Sequence, residues 1–394
     1  MSDRALFYAV CAFFALSLVL TYSLSTYTVM YYGYGDFHFF FRQLASILLG
    51  IGIMVGLSWL DPDRWFVRLG FLLFVGSFLA MMLMPFLPES LVKTVLGAKR
   101  WIRLGPLSLA PVEFFKVGFV FFIAWSFSRK LIQHGKLSLL REFLVLLPYL
   151  IVFAVAVVLI AIFQKDLGQV VVLAATMMVL SIMAGRSLKF FFSMVFLGFF
   201  GMIALILIAP HRMQRIKSWW STVQDNFLSF FPADMVEKLR VPEVQEPYQI
   251  ANSLNAIYNG GWFGQGLGNG QFKLGYLSEV HTDFILAGLT EELGYLALIG
   301  VAGLLLFIIF RLLQIASRLE QPAYYLYTVG VALLILFAFV VNSYGISGVT
   351  PVKGIAVPFL SYGGSQILAG SIAVGLVLMV SKKIRPPAKR RKDG

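Results

Sequence analysis

The segment EVHTDFILAGLTEELG, residues 279–294, places acidic residues where a long polar stretch meets an apolar run. Asp283 stands at the boundary, and Glu291 and Glu292 follow about 12–14 Å further along if the run is helical. Charged groups in such a run are costly, so they persist when they are paired or serve a site. We predict that Asp283 is a general base and that Glu291 and Glu292 have a structural or supporting role. The alternative is that Thr282 or Asp283 only caps the helix.

A basic and aromatic cluster lies in GAKRWIRLG, residues 97–105. Arg100 and Arg103 could each grip phosphate oxygens through two N–H groups. Trp101 suits the level of lipid headgroups. The cluster therefore predicts a site for a phosphate-bearing lipid, and the alternative is a solvated run of charges.

Two short segments add charged groups. Glu113 and Lys116 are three residues apart, so they share one helix face and can form an ion pair. This pair either lines a polar cavity or only neutralises two buried charges. In QKDLG, Gln164 and Asp166 occupy a short turn, where Asp166 either belongs to the site or caps the following helix.

The loop SGVTPVKGIAVPFLSYGGSQ precedes the last apolar run. Its two prolines and several glycines predict a rigid, irregular backbone, which survives at membrane depth only against protein or a water-filled cavity. Ser361 and Ser365 could donate hydrogen bonds there, and Lys353 adds a cation.

The composition predicts that these residues belong to a membrane protein. Of the 394 residues, 59% are hydrophobic and 13% are charged, whereas soluble domains carry about a quarter charged residues. So few charges cannot cover a water-facing surface, and lipid is the remaining solvent. The net charge of +13 fits cytoplasmic loops at anionic headgroups, so we expect no nucleic acid partner. The single cysteine excludes an internal disulfide.

Apolar runs of about 20 residues are long enough to cross a bilayer. Ten such runs predict an all-α integral membrane protein of about ten transmembrane helices, with a large extracytoplasmic loop between spans seven and eight. The predicted spans are 5–30, 38–60, 65–87, 112–128, 143–163, 168–185, 188–210, 283–310, 324–345 and 363–381.

The Lys and Arg residues predict the orientation, because cytoplasmic segments carry an excess of them. Both termini are then cytoplasmic, in a multi-pass protein of the bacterial inner membrane. Residues 1–381 form a single membrane domain, with an outer loop at about 211–282 that we expect to be ordered against the bundle. Residues 382–394 form a basic cytoplasmic tail.

These segments resemble the SEDS family (shape, elongation, division and sporulation), whose best-known members are RodA and FtsW. The resemblance covers residues 10 to 381, and Lys273 with the HRMQR segment makes the chain more similar to FtsW. In QKDLG, Lys165 stands where the family usually has proline. The motifs that carry the resemblance are GAKRWIRLG, EFFK, QKDLG, HRMQR, YQIANSLNAIYNGGWFGQGLG, HTDFILAGLTEELG and PFLSYGGSQ.

The resemblance implies a peptidoglycan glycosyltransferase that polymerises lipid II, a disaccharide-peptide on undecaprenyl diphosphate, at the outer face of the inner membrane. The implied partners are a class B penicillin-binding protein and other divisome or elongasome proteins. Asp283 matches the family's proposed catalytic residue. The expected substrate-binding residues are Arg100, Trp101, Arg103, Glu113, Lys116, Asp166, Lys273, His281, Thr282, Lys353 and Ser361, and Gln164, Glu291 and Glu292 are expected to support them.

The residues themselves leave three functions open. An enzyme or a flippase for lipid-linked substrates would account for charges within a membrane domain, whereas a scaffold of the division machinery would not need them. A divalent cation could assist an enzyme, but the sequence contains no recognisable set of ligands.

Overall fold

The structure, a computed structural model, describes residues 3–94, 97–104, 107–130, 137–242, 248–351 and 354–384. Lys353 and most of the basic tail lie outside these residues. The helices are α1 (Arg4–Leu24), α2 (Thr26–Tyr32), α3 (His38–Trp59), α4 (Pro62–Leu83), α5 (Pro111–Lys130), α6 (Leu139–Val157), α7 (Leu167–Met183), α8 (Leu188–Leu207), α9 (Pro210–Leu228), α10 (Ala233–Leu239), α11 (Tyr248–Gly260), α12 (Ile285–Ala316), α13 (Pro322–Ile346) and α14 (Gly364–Val380).

The predicted helical membrane fold is confirmed. Nine helices within the described residues are long and apolar enough to cross a membrane, and α7, of 17 residues, is a shorter apolar helix. Together they account for the ten predicted runs. A π-helix over Val158–Phe163 extends α6, and a short antiparallel hairpin of β1 (Ile102–Leu104) and β2 (Leu107–Leu109) joins α4 to α5.

The first predicted span was too long. Residues 5–30 form two helices, because Ser25 and Thr26 interrupt the run: their hydroxyls donate to the carbonyls of Tyr22 and Ser23 at 3.5 and 2.8 Å. Such local bonds compete with helix continuation. The turn leaves α2 as a separate helix with two exposed aromatic residues, Tyr31 and Tyr32.

The central helices are α5, α13 and α14. α5 packs along α4 and α13, and α14 packs along α3. Gly118 allows the close approach of α5 to α4, since a Cβ atom there would lie 2.6 Å from the backbone of Phe74. Small residues serve this purpose in membrane bundles, where backbone proximity increases dispersion contacts.

α12 is interrupted at Gly294, whose φ of 81° and ψ of 177° are not helical. The outer loop fills the break. The amides of Gln265 and Gly266 donate to the carbonyls of Glu291 and Glu292, each at 2.9 Å, and the amide of Tyr295 donates to the carbonyl of Gly261 at 2.8 Å. These bonds replace helical bonds that the kink removes, so the buried backbone groups remain satisfied.

Candidate active site

Asp283 lies in the turn before α12, and two elements fix its backbone. The side-chain amide of Asn342, on α13, donates to the carbonyls of Asp283 and Ile355 at 2.7 and 2.6 Å. The hydroxyl of Ser361 donates to the carbonyl of Thr282 at 2.7 Å and accepts from the amide of Val357 at 2.8 Å. The turn and the loop before α14 therefore form one rigid unit.

Neither Thr282 nor Asp283 caps α12. The helix begins after Phe284 without any side-chain cap, so the capping alternative for these residues is wrong. The hydroxyl of Thr282 instead donates to the carbonyl of Glu279 at 2.9 Å. Among the described residues, none donates a hydrogen bond to the carboxylate of Asp283.

The loop before α14 covers the Asp283 carboxylate. A Cβ atom at Gly354 would lie 2.6 Å from Oδ2 of Asp283, so only glycine leaves the carboxylate in this position. The contact recesses the Asp283 side chain while leaving it partly open to solvent.

The surroundings of Asp283 raise its pKa to about 7. Burial is the largest cause, and the negative charges of Asp166 and Glu279 act in the same direction, whereas Arg100 and Arg215 oppose them. A carboxyl group with a pKa near neutrality can hold and release a proton under physiological conditions, as a general base requires.

Arg100 connects the hairpin segment to the turn between the π-helix and α7. Its Nε and Nη2 donate to the carbonyls of Gln164 and Lys165 at 2.7 and 3.1 Å. Lys165 has a φ of 53°, which proline cannot adopt because its ring fixes φ near −65°. The turn therefore has a backbone conformation that a proline at this position would not permit.

Asp166 caps α7 and acts electrostatically on Asp283. Its carboxylate accepts from the amide of Gln169 at 3.3 Å. Burial raises the pKa of Asp166, with Arg100 and Lys116 acting against it. The predicted cap is therefore confirmed, and the role of Asp166 in substrate binding stays a prediction.

Glu113 and Lys116 form the expected ion pair, with 2.9 Å between Oε2 and Nζ. The side chain of Gln169 donates to the other Glu113 oxygen at 3.0 Å. The three residues line a cavity of about 70 Å³ that extends between α5, α7, α13 and α14 and under the loop at Pro358. The ion pair is therefore confirmed, whereas the cavity beside it is lined mostly by apolar residues, and a role of the pair in the site stays a prediction.

Trp101 and Arg103 are exposed on the hairpin, at the same end of the bundle as Asp283. Lys99, the first cation of this cluster, donates to the carbonyls of Pro85 and Leu87, both at 3.0 Å. Its ammonium group thus holds the chain after α4 and is occupied by backbone groups.

His281 and Gln164 are buried beside the site. The His281 ring lies between Phe39 and Tyr362, with centroids 4.9 and 5.5 Å away. Burial lowers the pKa of His281 to about 4, so the ring is neutral at physiological pH. The side chain of Gln164 is 1% exposed, and its role in the described structure is its carbonyl bond to Arg100.

Lys273 and Glu292 form a second, enclosed ion pair. Their charged atoms lie 2.6 Å apart with side chains 3% and 0% exposed, and the hydroxyl of Ser23 donates to Glu292 at 2.6 Å. The structure does not bring Lys273 into the group around Asp283. Its predicted role in substrate binding stays a prediction, and its observed contacts are structural.

Glu291 holds the outer loop. Its carboxylate accepts from the side-chain amide of Asn259 at 3.1 Å and from the amides of Gln271 and Phe272 at 2.7 and 3.1 Å. These bonds fix the residues that lead to Lys273. The carboxylate is thus fully engaged within the protein.

Sequence reasoning missed Asn342, Gly354 and Arg215 as parts of the site. Asn342 is a polar side chain in an apolar run, which is itself a signal of function. Arg215 belongs to HRMQR, a motif that indicates the family but does not by itself indicate a chemical role. Gly354 gave no signal, because its importance depends on a contact with a residue 71 positions earlier in the chain.

The described residues contain no group of three or more His, Cys, Asp or Glu side chains able to hold a metal ion. Of the carboxylates that act on Asp283, Glu279 lies in the same turn and Asp166 lies in the turn before α7. A divalent cation therefore has no preformed set of protein ligands among these residues.

A family model described as Cell cycle protein, for FtsW, RodA and SpoVE, matches residues 3–385. The chain is 48% identical over 383 residues to "Probable peptidoglycan glycosyltransferase FtsW" of Helicobacter pylori, covering 97% of this chain and 98% of that one. It is 32% identical over 392 residues to the protein of the same name from Trichlorobacter lovleyi, covering 99% and 96%. The FtsW names confirm the expected similarity to that branch.

Two solved structures share the fold. The crystal structure of the rod shape determining protein RodA from Thermus thermophilus has a TM-score of 0.65 at 22% identity, with 98% of both chains covered. A chain of a peptidoglycan synthase complex has a TM-score of 0.69 at 23% identity, covering 97% of this chain and 98% of that one. The chain therefore belongs to the FtsW, RodA and SpoVE family, which is the SEDS family expected from its motifs.

Proposed function

We propose that the chain is a peptidoglycan glycosyltransferase that polymerises lipid II during cell division or elongation. The observation that carries the proposal is the recessed Asp283 carboxylate. Its backbone is fixed by Asn342, its pKa is raised to about 7, and the cations Arg100 and Arg215 lie within electrostatic reach. The curated relatives that carry the same activity in their names support this assignment.

The reaction would join a hydroxyl of an acceptor lipid II to the anomeric carbon of a donor glycan. Asp283 takes the hydroxyl proton as the new C–O bond forms. The bond from the anomeric carbon to the diphosphate breaks, and undecaprenyl diphosphate leaves with the bonding electrons. A positioned base typically contributes about a 10²–10⁴-fold increase in rate.

Arg100 and Arg215 would stabilise the negative charge that develops on the leaving diphosphate. Arg100 is suited to this role because the carbonyls of Gln164 and Lys165 hold its guanidinium in place before the reaction. Preorganised cations avoid reorganisation in the transition state. Glu113 and Lys116 would supply charged groups to the adjacent cavity. Lys353, outside the described residues, stays a predicted substrate-binding residue.

The site would face the outside of the inner membrane, with both termini in the cytoplasm. The basic segments support this orientation, and lipid-linked substrates would enter from the bilayer. A class B penicillin-binding protein would cross-link the product. The fold shared with a chain of a peptidoglycan synthase complex supports a partner of this kind.

The test is polymerisation of purified lipid II by the full chain together with its penicillin-binding protein. Asp283→Asn should reduce glycan synthesis by about 10²–10⁴-fold with no loss of thermal stability. Asp225→Asn, at an exposed carboxylate paired with Arg240, should leave the rate unchanged. Polymer made at the normal rate by Asp283→Asn would refute the assignment.

A flippase would need polar access from both membrane faces, whereas the charged groups around Asp283 gather at one end of the bundle. A scaffold would not need a carboxylate with a raised pKa. Transport of lipid II by the chain in liposomes, without any polymer, would favour the flippase. Normal growth of cells that carry Asp283→Asn would favour the scaffold.

A further inference from the structure

The hairpin between α4 and α5 has an inner and an outer face. Arg103 pairs with Ser108 across the two strands, so their side chains lie on the same side. Trp101, two residues before Arg103, points to that side as well. The pair Ile102 and Leu109 takes the opposite, less exposed face, so the polar face is the one turned away from the protein.

Lys93 is brought to this polar face by the backbone. The amide of Arg103 donates to the carbonyl of Leu91 at 2.7 Å, which places the chain after α4 alongside β1. Lys93, Trp101, Arg103 and Ser108 then line a pocket of about 130 Å³. Two cations, one hydroxyl and one indole ring thus converge on one recess.

The two cations of the pocket have no ion-pair partner within the part of the chain that the structure describes. Lys99 and Arg100, from the same segment, donate to backbone carbonyls. Among the described residues, by contrast, no carboxylate forms an ion pair with Lys93 or Arg103, and the hydroxyl of Ser108 makes no hydrogen bond. An anion is therefore the ligand that this recess fits.

The pocket is anchored to the same support as Asp283. The hydroxyl of Ser365, at the start of α14, accepts from the amide of Ala110 at 2.8 Å and donates to the carbonyl of Ser108 at 3.1 Å. The loop before α14 also carries Gly354, which contacts Asp283. The recess and the Asp283 carboxylate are therefore held at a fixed spacing.

We propose that Lys93, Trp101, Arg103 and Ser108 form a second anion site, which binds the phosphate headgroup of a membrane lipid. The inference rests on the proposed function, because joining two lipid-linked sugars requires two diphosphates at once, and Arg100 and Arg215 account for one of them. The indole ring suits a ligand at the level of lipid headgroups. A guanidinium group and an ammonium group together match a diphosphate, since the fork binds two oxygens and the point charge binds the other phosphate.

The experiment counts bound lipids by native mass spectrometry of the full chain in detergent. The probe is lipid II with hydrogen in place of the acceptor hydroxyl, which cannot be elongated whatever residue is the base. We expect two bound molecules for the natural chain. Lys93→Gln/Arg103→Gln should weaken one of the two sites by at least about 10-fold, since each lost charge-assisted contact alone lowers affinity by about that factor.

The matched control is Lys189→Gln/Lys217→Gln, which removes two exposed cations and should still bind two molecules. A second series replaces the probe with phosphatidylglycerol. If Lys93→Gln/Arg103→Gln binds the lipid II analogue more weakly, the ligand of the site is the diphosphate of the substrate. If the variant binds only phosphatidylglycerol more weakly, the ligand is the headgroup of a bulk phospholipid. Unchanged binding of both lipids, or equal losses in the control, would overturn the proposal.

Asp283→Asn separates this inference from the proposed function. It should bind two analogue molecules while making no polymer from unmodified lipid II. Normal polymerisation by Asp283→Asn would refute the assignment of Asp283 as the base, and it would not affect the proposal of the anion site. Unchanged lipid binding by Lys93→Gln/Arg103→Gln would refute the proposal of the anion site, and it would not affect the assignment of Asp283 as the base.

Discussion

The carboxylate of Asp283 and the pair of carboxylates at Glu291 and Glu292 lie within ten residues of each other, yet their surroundings are opposite. Glu292 is fully buried with Lys273 and Ser23, and Glu291 accepts hydrogen bonds from the outer loop. Asp283 instead faces the negative charges of Asp166 and Glu279, and no described group donates to its carboxylate. The protein therefore supplies one set of carboxylates with fixed partners, and the described residues supply no hydrogen-bond donor to the other.

This contrast separates two uses of a buried acid. A carboxylate whose oxygens all accept hydrogen bonds or pair with a cation holds chain segments together, because fixed donors offset its charge. A carboxylate without hydrogen-bond donors is less stable in its charged form, so its pKa is raised. Groups with perturbed pKa values are concentrated at functional sites. Breaking the contacts of Glu292 should therefore lower stability, whereas removing the charge of Asp283 should raise it.

The largest expected effect on stability is at the enclosed ion pair. Lys273→Met would leave Glu292 as a buried charge without its cation, and removal of one partner from such a pair costs about 3–5 kcal/mol. Thermal unfolding in detergent measures the loss. The double variant Lys273→Met/Glu292→Met should recover most of it, since apolar replacement of both partners is often neutral. If stability recovers but polymerisation does not, Lys273 has a role in substrate binding as well.

The next effect concerns the cover over Asp283. Gly354→Ala would place a Cβ atom 2.6 Å from the Asp283 carboxylate, so the loop or the carboxylate must move. We expect about a 10- to 100-fold fall in polymerisation rate, because small displacements of reacting groups are costly, with little change in unfolding temperature. Gly52→Ala, at a helical glycine with nothing within 4 Å, is the control. Equal rates in the two variants would show that the cover does not position the base.

A smaller effect concerns the pH dependence of the rate. Asp283 must be ionised to accept a proton, so the rate should rise with pH through about 7 and then level. The negative charge of Asp166 raises the pKa of Asp283, so Asp166→Asn should move the midpoint of this rise to lower pH. The pH–rate profile of the purified complex measures it, and Asp225→Asn should leave the midpoint in place. A midpoint that moves to higher pH in Asp166→Asn would contradict the pairing of these two acids.

Much of the fold could be predicted, because apolar runs of bilayer length are strong signals. The Glu113–Lys116 ion pair and the cap at Asp166 also followed from spacing alone. The different roles of Asp283 and Glu292 depend on contacts with Gly354 and Ser23, which lie far away in the chain. Such pairings are set by tertiary packing, so a single sequence does not contain a local signal for them.

The smallest effect, and the most direct test of the contrast, is the stability of Asp283→Asn at different pH values. The pKa of Asp283 is about 7 in the folded chain and about 3.9 in an unfolded one. Between these values the folded state binds more protons, so the contribution of Asp283 to stability falls as pH rises from about 4 to about 7.

Asparagine cannot ionise, so Asp283→Asn should be more stable than the natural chain at pH 8, by on the order of 1 kcal/mol after allowance for solvent screening. At pH 5 the difference should fall to about a third of its value at pH 8, because only the interval between the unfolded pKa of about 3.9 and pH 5 has then contributed. Thermal unfolding in detergent at the two pH values measures it, with Asp225→Asn as the control. A loss of stability at pH 8 would mean that the Asp283 carboxylate is held by favourable contacts after all, and the two sets of acids would then serve the same structural purpose.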